Sequence, residues 1–454
     1  MHTTEEILHS LNPSWLGPAR YAERWPTRRA LQRELLEKLS RSDRRALVIR
    51  GPRQVGKTTI LLQLMDDLAA AGIPARNLAY FDFSDPRLPA DGLSPRDIVE
   101  LAPKDADRGQ PRFFFLDEID TAHRWDEWLK HAVDQYEHRV RFVVTDSSSA
   151  LLSEAGRQSG LGRWDERTLE ALTFREFLAL QALPGEPIEA THRRVPAPYA
   201  RFLSIGGRPE HSFNPSALEV QRRVREDIAD RAITRDLSRF RLDVGRVREL
   251  FVYLLEDSGA ILNAPARLRL MQRADEKPID KRTLQDWIGR LEQTMLIARL
   301  EPFAKAATAK LAGRAYPKIY AADHGLITAF SAVSDPLSEP VVLGRVLEAL
   351  VFHQLRHLVR NREISLSYLR DRAGKNEVDF VIHEGVHIRT FIEVTASRNP
   401  RDKVEPLRGQ LLTHKGARAV VVHNGIEHDE EGGLRVVPME KFLLDPGQVL
   451  EGQQ

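Results

Sequence analysis

Short apolar runs alternate with helical patterns through the first third of the chain. Ala46–Arg50, Arg112–Leu116 and Arg141–Val144 have the length and continuous hydrophobic character of strands buried in a parallel sheet. Thr59–Met65 instead repeats its apolar residues at helical spacing. Strands that alternate with helices are typical of an α/β fold, in which helices cover the faces of the sheet. We therefore predict an α/β domain at the start of the chain.

Helical periodicity dominates the middle of the chain, and the α/β pattern returns from about residue 319. Residues 199–245 are helical in pattern, and Leu250–Leu255 predicts an apolar helix. A short helix near Pro265–Met271 follows, and then Ile279–Trp287, with Asp280 as its expected N-cap. The pattern predicts four segments, residues 1–190, 191–245, 246–318 and 319–454.

Composition narrows the class of protein. The chain has 454 residues, 42% of them hydrophobic and 29% charged, which is a globular balance. No apolar run approaches the roughly 18 residues of a membrane span, and the polar start does not resemble a secretory signal. The absence of cysteine excludes disulfides, thiolate metal sites and a cysteine nucleophile. We expect a cytoplasmic protein without a membrane partner. Because the net charge is only +2, a nucleic-acid partner requires a local basic patch.

A complete phosphate-binding motif joins the first predicted strand to the first predicted helix. Its glycines let backbone N–H groups turn toward phosphate, and the helix N-terminus adds partial positive charge. The lysine of this motif reaches the β- and γ-phosphates, and the threonine hydroxyl ligates Mg²⁺. The motif predicts ATP and Mg²⁺ as cofactors. The predicted nucleotide-binding residues are Gly51, Pro52, Arg53, Gln54, Val55, Gly56, Lys57, Thr58 and Thr59.

Acidic and hydroxyl residues follow the next two strands. Asp117 is predicted to hold Mg²⁺, and Glu118 to deprotonate the attacking water, which argues for hydrolysis. After Arg141–Val144, a polar side chain is placed to sense the γ-phosphate. Ser147 is our choice, with Thr145 and Ser148 as alternatives; the same residues would also serve as a helix N-cap.

The order of motifs resembles prokaryotic AAA-type ATPases with a C-terminal domain of unassigned function, a group related to archaeal ATPases and STAND switches. The resemblance implies an AAA+ P-loop core (1–190), a helical lid (191–245), a winged helix-turn-helix (246–318) and an α/β nuclease-like domain (319–454). The matching stretches are Gly51–Thr58, Asp117-Glu118, Trp125–Trp128, Thr145–Ser149, Gly162-Arg163, Leu172–Leu178, Gly206–Pro209, Pro317–Asp323 and Asn376–Phe380.

The same resemblance implies further site residues. Arg163 stands where such ATPases carry an arginine finger, commonly acting on a neighbouring subunit, which implies a homo-oligomer such as a hexameric ring. Pro209 resembles the lid element that touches the base, although a simple turn explains the same residues. Asp146 departs from the pattern, since glycine is usual there. Its carboxylate either points away from the nucleotide or alters the sensor.

Residues 246–318 look like a winged helix that binds DNA through a local patch, or one that serves as a protein-packing module. On the first interpretation, one set of side chains enters a groove from the helix that Asp280 caps, and a second set lies near phosphates from the wing. The groove set is Lys281, Arg282, Gln285 and Arg290. The wing set is Lys305, Lys310 and Arg314.

Three acids of the last segment resemble the PD-(D/E)xK nuclease constellation. Glu348 lies on a predicted helix, and Asp379 and Glu393 lie on predicted strands, where such carboxylates hold Mg²⁺. The lysine expected two residues after the last acid is replaced by Thr395, which supplies no cation beside a scissile phosphate. Lys375 is a candidate substitute of undefined direction.

These features predict an oligomeric, ATP-hydrolysing DNA-binding motor that remodels branched or structured DNA such as Holliday junctions. One alternative is a STAND-like ATP-dependent switch in a defence or toxin system. Another is an ATP-regulated DNA nuclease, which Thr395 makes a poor fit.

Overall fold

A computed structural model describes two compact units, Met1–Glu170 and Ala171–Gln454, and each is considered by itself. The residues it does not describe are 1–2, 18–19, 24, 42, 88–93, 137–138, 147–161, 238–239, 241, 263–278, 304–315, 332, 361–362, 371–376, 427–428 and 452–454. The first unit ends at Glu170, whereas the predicted end of the ATPase core is residue 190, and that boundary stays a prediction. Phe174 and Phe177 are fully buried in the core of the second unit.

The first unit is an α/β layer structure, as predicted. Its five strands pair in parallel in the order β2-β3-β4-β1-β5. The strands are β1 (Ala46–Arg50), β2 (Leu78–Asp82), β3 (Arg112–Asp117), β4 (Val140–Asp146) and β5 (Trp164–Thr168). The helices are α1 (Thr4–Leu11), α2 (Ala30–Ser40), α3 (Lys57–Ala70), α4 (Pro95–Leu101) and α5 (Trp125–Tyr136).

The central strands explain why the polar strand ends meet. Every residue of β1 and of β4 is buried, so both strands lie under helices on both faces. Arg50 pairs with Asp146 at the end of β1 and β4, and Leu116 pairs with Val144 between β3 and β4. Since parallel strands end at one edge of a sheet, the register gathers the segments after β1, β3 and β4 at that edge.

The N-terminal segment covers the outer edge of β2. The side-chain amide of Asn12 donates to the carbonyl of Tyr80 at 2.8 Å, and its oxygen accepts from the Tyr80 N–H at 2.7 Å. The indole N–H of Trp15 donates to the carbonyl of Leu78 at 2.8 Å. These bonds satisfy backbone groups that an edge strand otherwise leaves unpaired. The N-terminal segment therefore anchors β2 and, with it, Tyr80.

The second unit begins as a helical array. Its first helices are α6 (Phe174–Gln181), α7 (Ile188–Arg194), α8 (Pro198–Ile205) and α9 (Ala217–Arg223). Two π-helical stretches, Val224–Asp230 and Ala232–Asp236, extend α9. The later helices are α10 (Val244–Glu256), α11 (Lys281–Gln293), α12 (His324–Phe330), α13 (Pro340–Val359), α14 (Arg401–Thr413), α15 (Met439–Leu444) and α16 (Pro446–Glu451). The prediction of a helix near Pro265–Met271 lies outside the described residues.

Two sheets complete this unit. β6 (Ile297–Leu300) and β7 (Lys318–Ala321) form an antiparallel pair, which an isolated bridge from Ile261 to Lys318 extends. The larger sheet has the order β12-β13-β11-β10-β9-β8 and mixes parallel and antiparallel pairs. Its strands are β8 (Ser365–Arg370), β9 (Glu377–Glu384), β10 (His387–Thr395), β11 (Arg418–His423), β12 (Asp429–Glu431) and β13 (Leu434–Pro438). Across the described ranges, no helix is long and apolar enough to span a membrane.

Candidate functional site: a nucleotide-binding edge

The loop between β1 and α3 has the backbone that phosphate binding requires. Gly56 precedes the first residue of α3 with φ of 96°, in the left-handed region that favours glycine. A Cβ on Gly51 would lie 2.3 Å from the carbonyl oxygen of Leu169, so only glycine fits at this position. The Lys57 ammonium is buried and donates to the carbonyls of Gly51 and Pro52 at 2.8 and 3.0 Å. The loop therefore carries its cation at the N-terminus of α3, where anions bind favourably.

Asp117 is the centre of a hydroxyl network at the end of β3. The Thr58 hydroxyl donates to Asp117 Oδ2 at 2.6 Å, and the Tyr80 phenol donates to the same oxygen at 3.0 Å. The Thr145 hydroxyl donates to the other oxygen, Oδ1. Three strands and the loop helix thus fix one carboxylate. Tyr80 was missed from the sequence, because its role depends on β2 pairing beside β3.

Glu118 adopts a left-handed backbone conformation, with φ of 48°, directly after β3. Its backbone N–H donates to the Thr145 hydroxyl at 2.9 Å. Burial, and next the charge of Asp120, raise the pKa of the Glu118 carboxyl, while Lys57 opposes the rise. A strained conformation and a raised pKa at one acid are features of residues that exchange protons in catalysis. Thr145, one of the two alternatives to Ser147, links Asp117 and Glu118; Ser147 itself lies outside the described residues.

The second polar residue at the end of β4 has an internal partner. Asp146 is fully buried, and its Oδ2 lies 3.6 Å from Nε of Arg50. The Arg50 guanidinium also pairs with Glu166 at 2.6 Å. Successive side chains of a strand point to opposite faces, so Thr145 faces Asp117 and Asp146 does not. This arrangement favours the interpretation in which the extra carboxylate points away from the nucleotide.

Comparisons with known proteins agree with this site. Residues 43–178 match the family described as "AAA domain". Residues 197–337 and 343–442 match two families described as "Domain of unknown function" (DUF8612 and DUF4143). An "Uncharacterized protein" of Haemophilus influenzae is 24% identical over 409 residues, covering 87% of this chain and 94% of that protein.

Solved structures with some likeness cover most of the chain at low identity. A Walker-type ATPase of Pyrococcus abyssi is 14% identical with a TM-score of 0.42, covering 69% of this chain and 98% of its own. The ORC1 protein of Aeropyrum pernix, solved in complex with DNA, is 14% identical with a TM-score of 0.31, covering 75% of this chain and 99% of its own. The AAA-domain match on residues 43–178 and the complete phosphate loop support a P-loop ATPase of the AAA type.

The residues of this ATPase domain fit a nucleotide with Mg²⁺. The Thr58 hydroxyl and the Asp117 carboxylate, 2.6 Å apart, supply the hard oxygen ligands that Mg²⁺ prefers. Both would hold the ion, which neutralises developing phosphate charge when bound. Lys57 would meet the phosphates, and Glu118 would accept the proton of the attacking water. The Thr145 hydroxyl would keep Asp117 and Glu118 in fixed positions relative to each other.

We expect Tyr80→Phe to raise the Mg²⁺ concentration for half-maximal ATPase rate by about 10-fold, because partners that orient a metal ligand tune metal affinity. The phenol donates to Asp117 Oδ2, so its loss releases the carboxylate from one orientation. The rate at saturating Mg²⁺ should stay near that of the parent. The matched control is Tyr136→Phe, whose ring packs on Phe142. An unchanged Mg²⁺ dependence in Tyr80→Phe would contradict the positioning role.

The pH dependence of ATP turnover should reflect the raised pKa of Glu118. Only the ionised carboxylate accepts a proton from water, so the turnover rate should be maximal above the raised pKa and should fall as the pH drops through it. We expect the acidic limb of kcat at saturating Mg²⁺ to lie above 4.5, the ordinary value for glutamate. A profile that stays flat down to that ordinary value argues against Glu118 as the base.

Arg163 lies far from the phosphate loop of its own chain. Its carbonyl accepts from the N–H of Ala46, the first residue of β1, whereas the loop follows the last residue, Arg50. Five residues of strand separate the two ends by roughly 16 Å. The Arg163 Nε donates to Asp134 Oδ2 at 2.9 Å. Arg163 therefore cannot serve its own site, and the predicted finger role is compatible only with a neighbouring subunit.

The segment around Pro209 is bound within the second unit. Gly207 N–H donates to Asp323 Oδ1 at 3.1 Å, and the buried Arg208 guanidinium lies 3.5 Å from Asp323 Oδ2. A Cβ on Gly206 would lie 2.8 Å from the Cα of Gly325, so two distant motifs touch through their glycines. Pro209 begins a short 3-10 helix, Pro209–Phe213. Packing accounts for this motif, and its contact with a base stays a prediction.

α11 separates an apolar face from a basic one. Asp280 accepts from the Thr283 N–H at 2.7 Å, which confirms the predicted N-cap. Lys281, Arg282 and Gln285 are exposed. Arg290 does not share their face: its guanidinium packs over the Phe240 ring, 4.0 Å from the centroid. Nine residues at 3.6 per turn place Arg290 about half a turn from Lys281. The wing residues Lys305, Lys310 and Arg314 lie outside the described residues.

The three acids of the last segment lie beside lysines that were not predicted from the sequence. Lys318 of β7 lies between Glu348 and Asp379, and Lys403 of α14 pairs with Glu393 at 2.7 Å. Burial, and next the charge of Asp379, raise the pKa of Glu348 and of Glu393. Lys375 lies outside the described residues. The signal that could have revealed Lys318 is a lysine at the start of the otherwise apolar strand β7.

Proposed function

We propose that this chain is a homo-oligomeric ATPase that binds DNA through residues 246–318 and remodels branched or structured DNA at the expense of ATP. The ATP site itself rests on the AAA-domain match and on the geometry around Asp117. The observation that supports DNA binding is the solvent-facing basic surface of α11. That surface, Lys281, Arg282 and Gln285, is called the α11 face below.

The element order around α11 supports this proposal. α10, the bridge at Ile261, α11 and the β6-β7 pair follow each other as the elements of a winged helix do. Leu284, Trp287 and Ile288 are buried on the opposite side of α11. The helix is therefore held by an apolar face and presents the α11 face outward, as a recognition helix requires.

The position of Arg163 supports oligomer formation. A guanidinium at the edge of the sheet opposite its own phosphate loop supplies charge to a transition state only in an adjacent subunit. The pairing with Asp134 holds Arg163 at that edge. We propose that each site combines Lys57, Thr58, Asp117 and Glu118 of one subunit with Arg163 of the next.

A nucleotide-dependent switch is the second candidate, and one observation favours it. The helical array, the β6-β7 pair and the C-terminal sheet form one compact unit, joined through Arg208–Asp323 and through Lys318. A unit of that kind would respond to the nucleotide state as one body, which suits an output module. Slow turnover, with assembly that follows bound nucleotide and ignores DNA, would identify the switch.

The α11 face gives a direct test of DNA binding. We expect Lys281→Glu with Arg282→Glu to weaken duplex binding and to reduce the salt dependence of log K by about 2, close to 0.9 for each lost phosphate contact. ATPase activity without DNA should stay unchanged, while stimulation by DNA is lost.

A control with the same change in net charge makes this result specific. Arg401 and Lys441 are exposed residues of the same unit, and Arg401→Glu with Lys441→Glu alters charge by the same amount. Binding should survive in this control. If both double variants weaken DNA binding equally, the α11 face is not the recognition surface.

A further inference from the structure

The carboxylates of the C-terminal domain surround a lysine that comes from another part of the unit. Lys318 Nζ lies 2.9 Å from Glu377 Oε1, 3.2 Å from Glu348 Oε1 and 3.3 Å from Asp379 Oδ1. These four residues, Lys318, Glu348, Glu377 and Asp379, are called the Lys318 cluster. β7 supplies the lysine, whereas α13 and β9 supply the acids.

The ammonium uses its full hydrogen-bonding capacity in this position. A lysine carries three N–H donors and no acceptor, and three carboxylate oxygens lie around Lys318. Burial alone lowers the pKa of Lys318, but the surrounding carboxylates outweigh it and raise the pKa above the ordinary value. The Lys318 side chain is 2% exposed, whereas its carboxylate partners keep 15% to 35% of their side-chain surface exposed. The lysine is therefore a permanent cation of the cluster.

The remaining groups that a metal would need are also engaged. Asp379 Oδ2 accepts from the N–H of Val394 at 3.0 Å. The Tyr320 phenol, two residues after Lys318 on the same side of β7, donates to Glu348 Oε1 at 2.8 Å. Glu393 is bonded to Lys403. Among the described residues, no three acids or histidines are arranged to hold a metal ion.

The chain before β7 closes the cluster from one side. Gly259 has φ of 88°, and a Cβ there would lie 2.8 to 2.9 Å from the carboxylate of Glu348. Its N–H donates to the carbonyl of Ile319 at 2.8 Å, and the Ser258 hydroxyl accepts from the N–H of Ala321 at 3.1 Å. These bonds hold the Ser258-Gly259 segment against β7. This segment therefore packs directly against the Glu348 carboxylate.

We propose that Lys318 takes the place of the metal ion in the nuclease-like constellation, so that the cluster binds no divalent cation and cuts no nucleic acid. The ion pairs instead fasten β7, and the segment that carries α11, to the C-terminal domain. The proposal concerns the last domain alone and does not depend on ATP hydrolysis or on DNA binding.

Localised oxidative cleavage tests this assignment without nucleotide present. In the presence of O₂ as the oxidant, Fe²⁺ with ascorbate cuts a backbone near any bound Fe²⁺, and mass spectrometry locates the cuts. We expect the parent chain to show no cuts around Asp379 and Glu393. Lys318→Met, which leaves the acids without their cation, should bind Fe²⁺ or Mn²⁺ and gain cuts there. Asp379→Asn added to Lys318→Met should remove them.

Two results overturn the proposal. One is cleavage near Asp379 in the parent chain that Asp379→Asn abolishes, because the native cluster then holds a metal. The other is a folded Lys318→Met chain, judged by circular dichroism, that gains no Mn²⁺ site. Because loss of a buried cation destabilises its partners, the parent and Asp379→Asn provide the test that does not require Lys318→Met to fold.

Discussion

Glu118→Gln should lower the ATP turnover rate by about 10²–10⁴-fold while ATP affinity stays close to that of the parent. The amide matches the carboxylate in shape but accepts no proton from water. Thr145 holds the backbone N–H of Glu118 at 2.9 Å, so the position of the side chain does not depend on its charge. The loss should therefore appear in the chemical step alone.

Single-turnover hydrolysis and binding of a fluorescent ATP analogue separate the two effects. Glu127→Gln is the matched control, since Glu127 of α5 is exposed and pairs with Arg124, the residue before that helix. We expect the control to hydrolyse ATP at the parent rate. A Glu118→Gln chain that turns over ATP like the parent would remove Glu118 from the role of base and leave this domain without an identified one.

Arg163→Ala should lower turnover by about 10³–10⁵-fold in the assembled protein, with nucleotide binding retained. In the proposed finger role the guanidinium would stabilise charge that develops only in the transition state, and it lies at the edge of β1 opposite the loop of its own chain. Its ion pair with Asp134 is partly exposed, so the loss of that pair costs little stability. Arg76→Ala, which removes a similar exposed pair with Asp105, is the matched control.

Mixed assemblies show whether the arginine acts between subunits. An Arg163→Ala subunit keeps its own Glu118, and a Glu118→Gln subunit keeps its own Arg163. Where the two meet in the right order, one complete site forms, so the mixture should hydrolyse ATP although neither variant does alone. A mixture as inactive as its components would contradict a site shared between neighbours.

The ATP site was largely predictable because its residues are local to strand ends. Strand, loop and helix at Gly51–Thr58 follow one another in the chain, and a buried run before Asp117 indicates where that carboxylate must emerge. The positions of Tyr80 and Thr145 beside Asp117 depend on the order β2-β3-β4, which pairs strands about 30 residues apart. Hydrophobic patterns do not define such pairing.

The rest of the chain shows the same limit. The capping pattern predicted the start of α11 at Asp280, yet Arg290 of the predicted groove set packs over the ring of Phe240, in a segment that lies earlier in the chain. Lys318 lies 61 residues before Asp379 in the sequence and forms its ion pair only through tertiary contact. Asp146 departs from the glycine that is usual at its position, and the pairing of β1 with β4 explains it by placing Arg50 beside its carboxylate. In each case the role of the residue depends on a partner that is distant in the sequence. Hydrophobic and polar patterns identify the residue but not that partner.

ATP turnover measured against single-stranded, duplex and four-way DNA, with particle mass recorded in parallel, tests whether this chain is a DNA-stimulated oligomeric ATPase. We expect an assembly larger than one chain whose turnover rises with DNA, most strongly with the branched form, and requires Arg163. A slow turnover that no DNA alters, in a particle whose mass follows bound nucleotide alone, would contradict it.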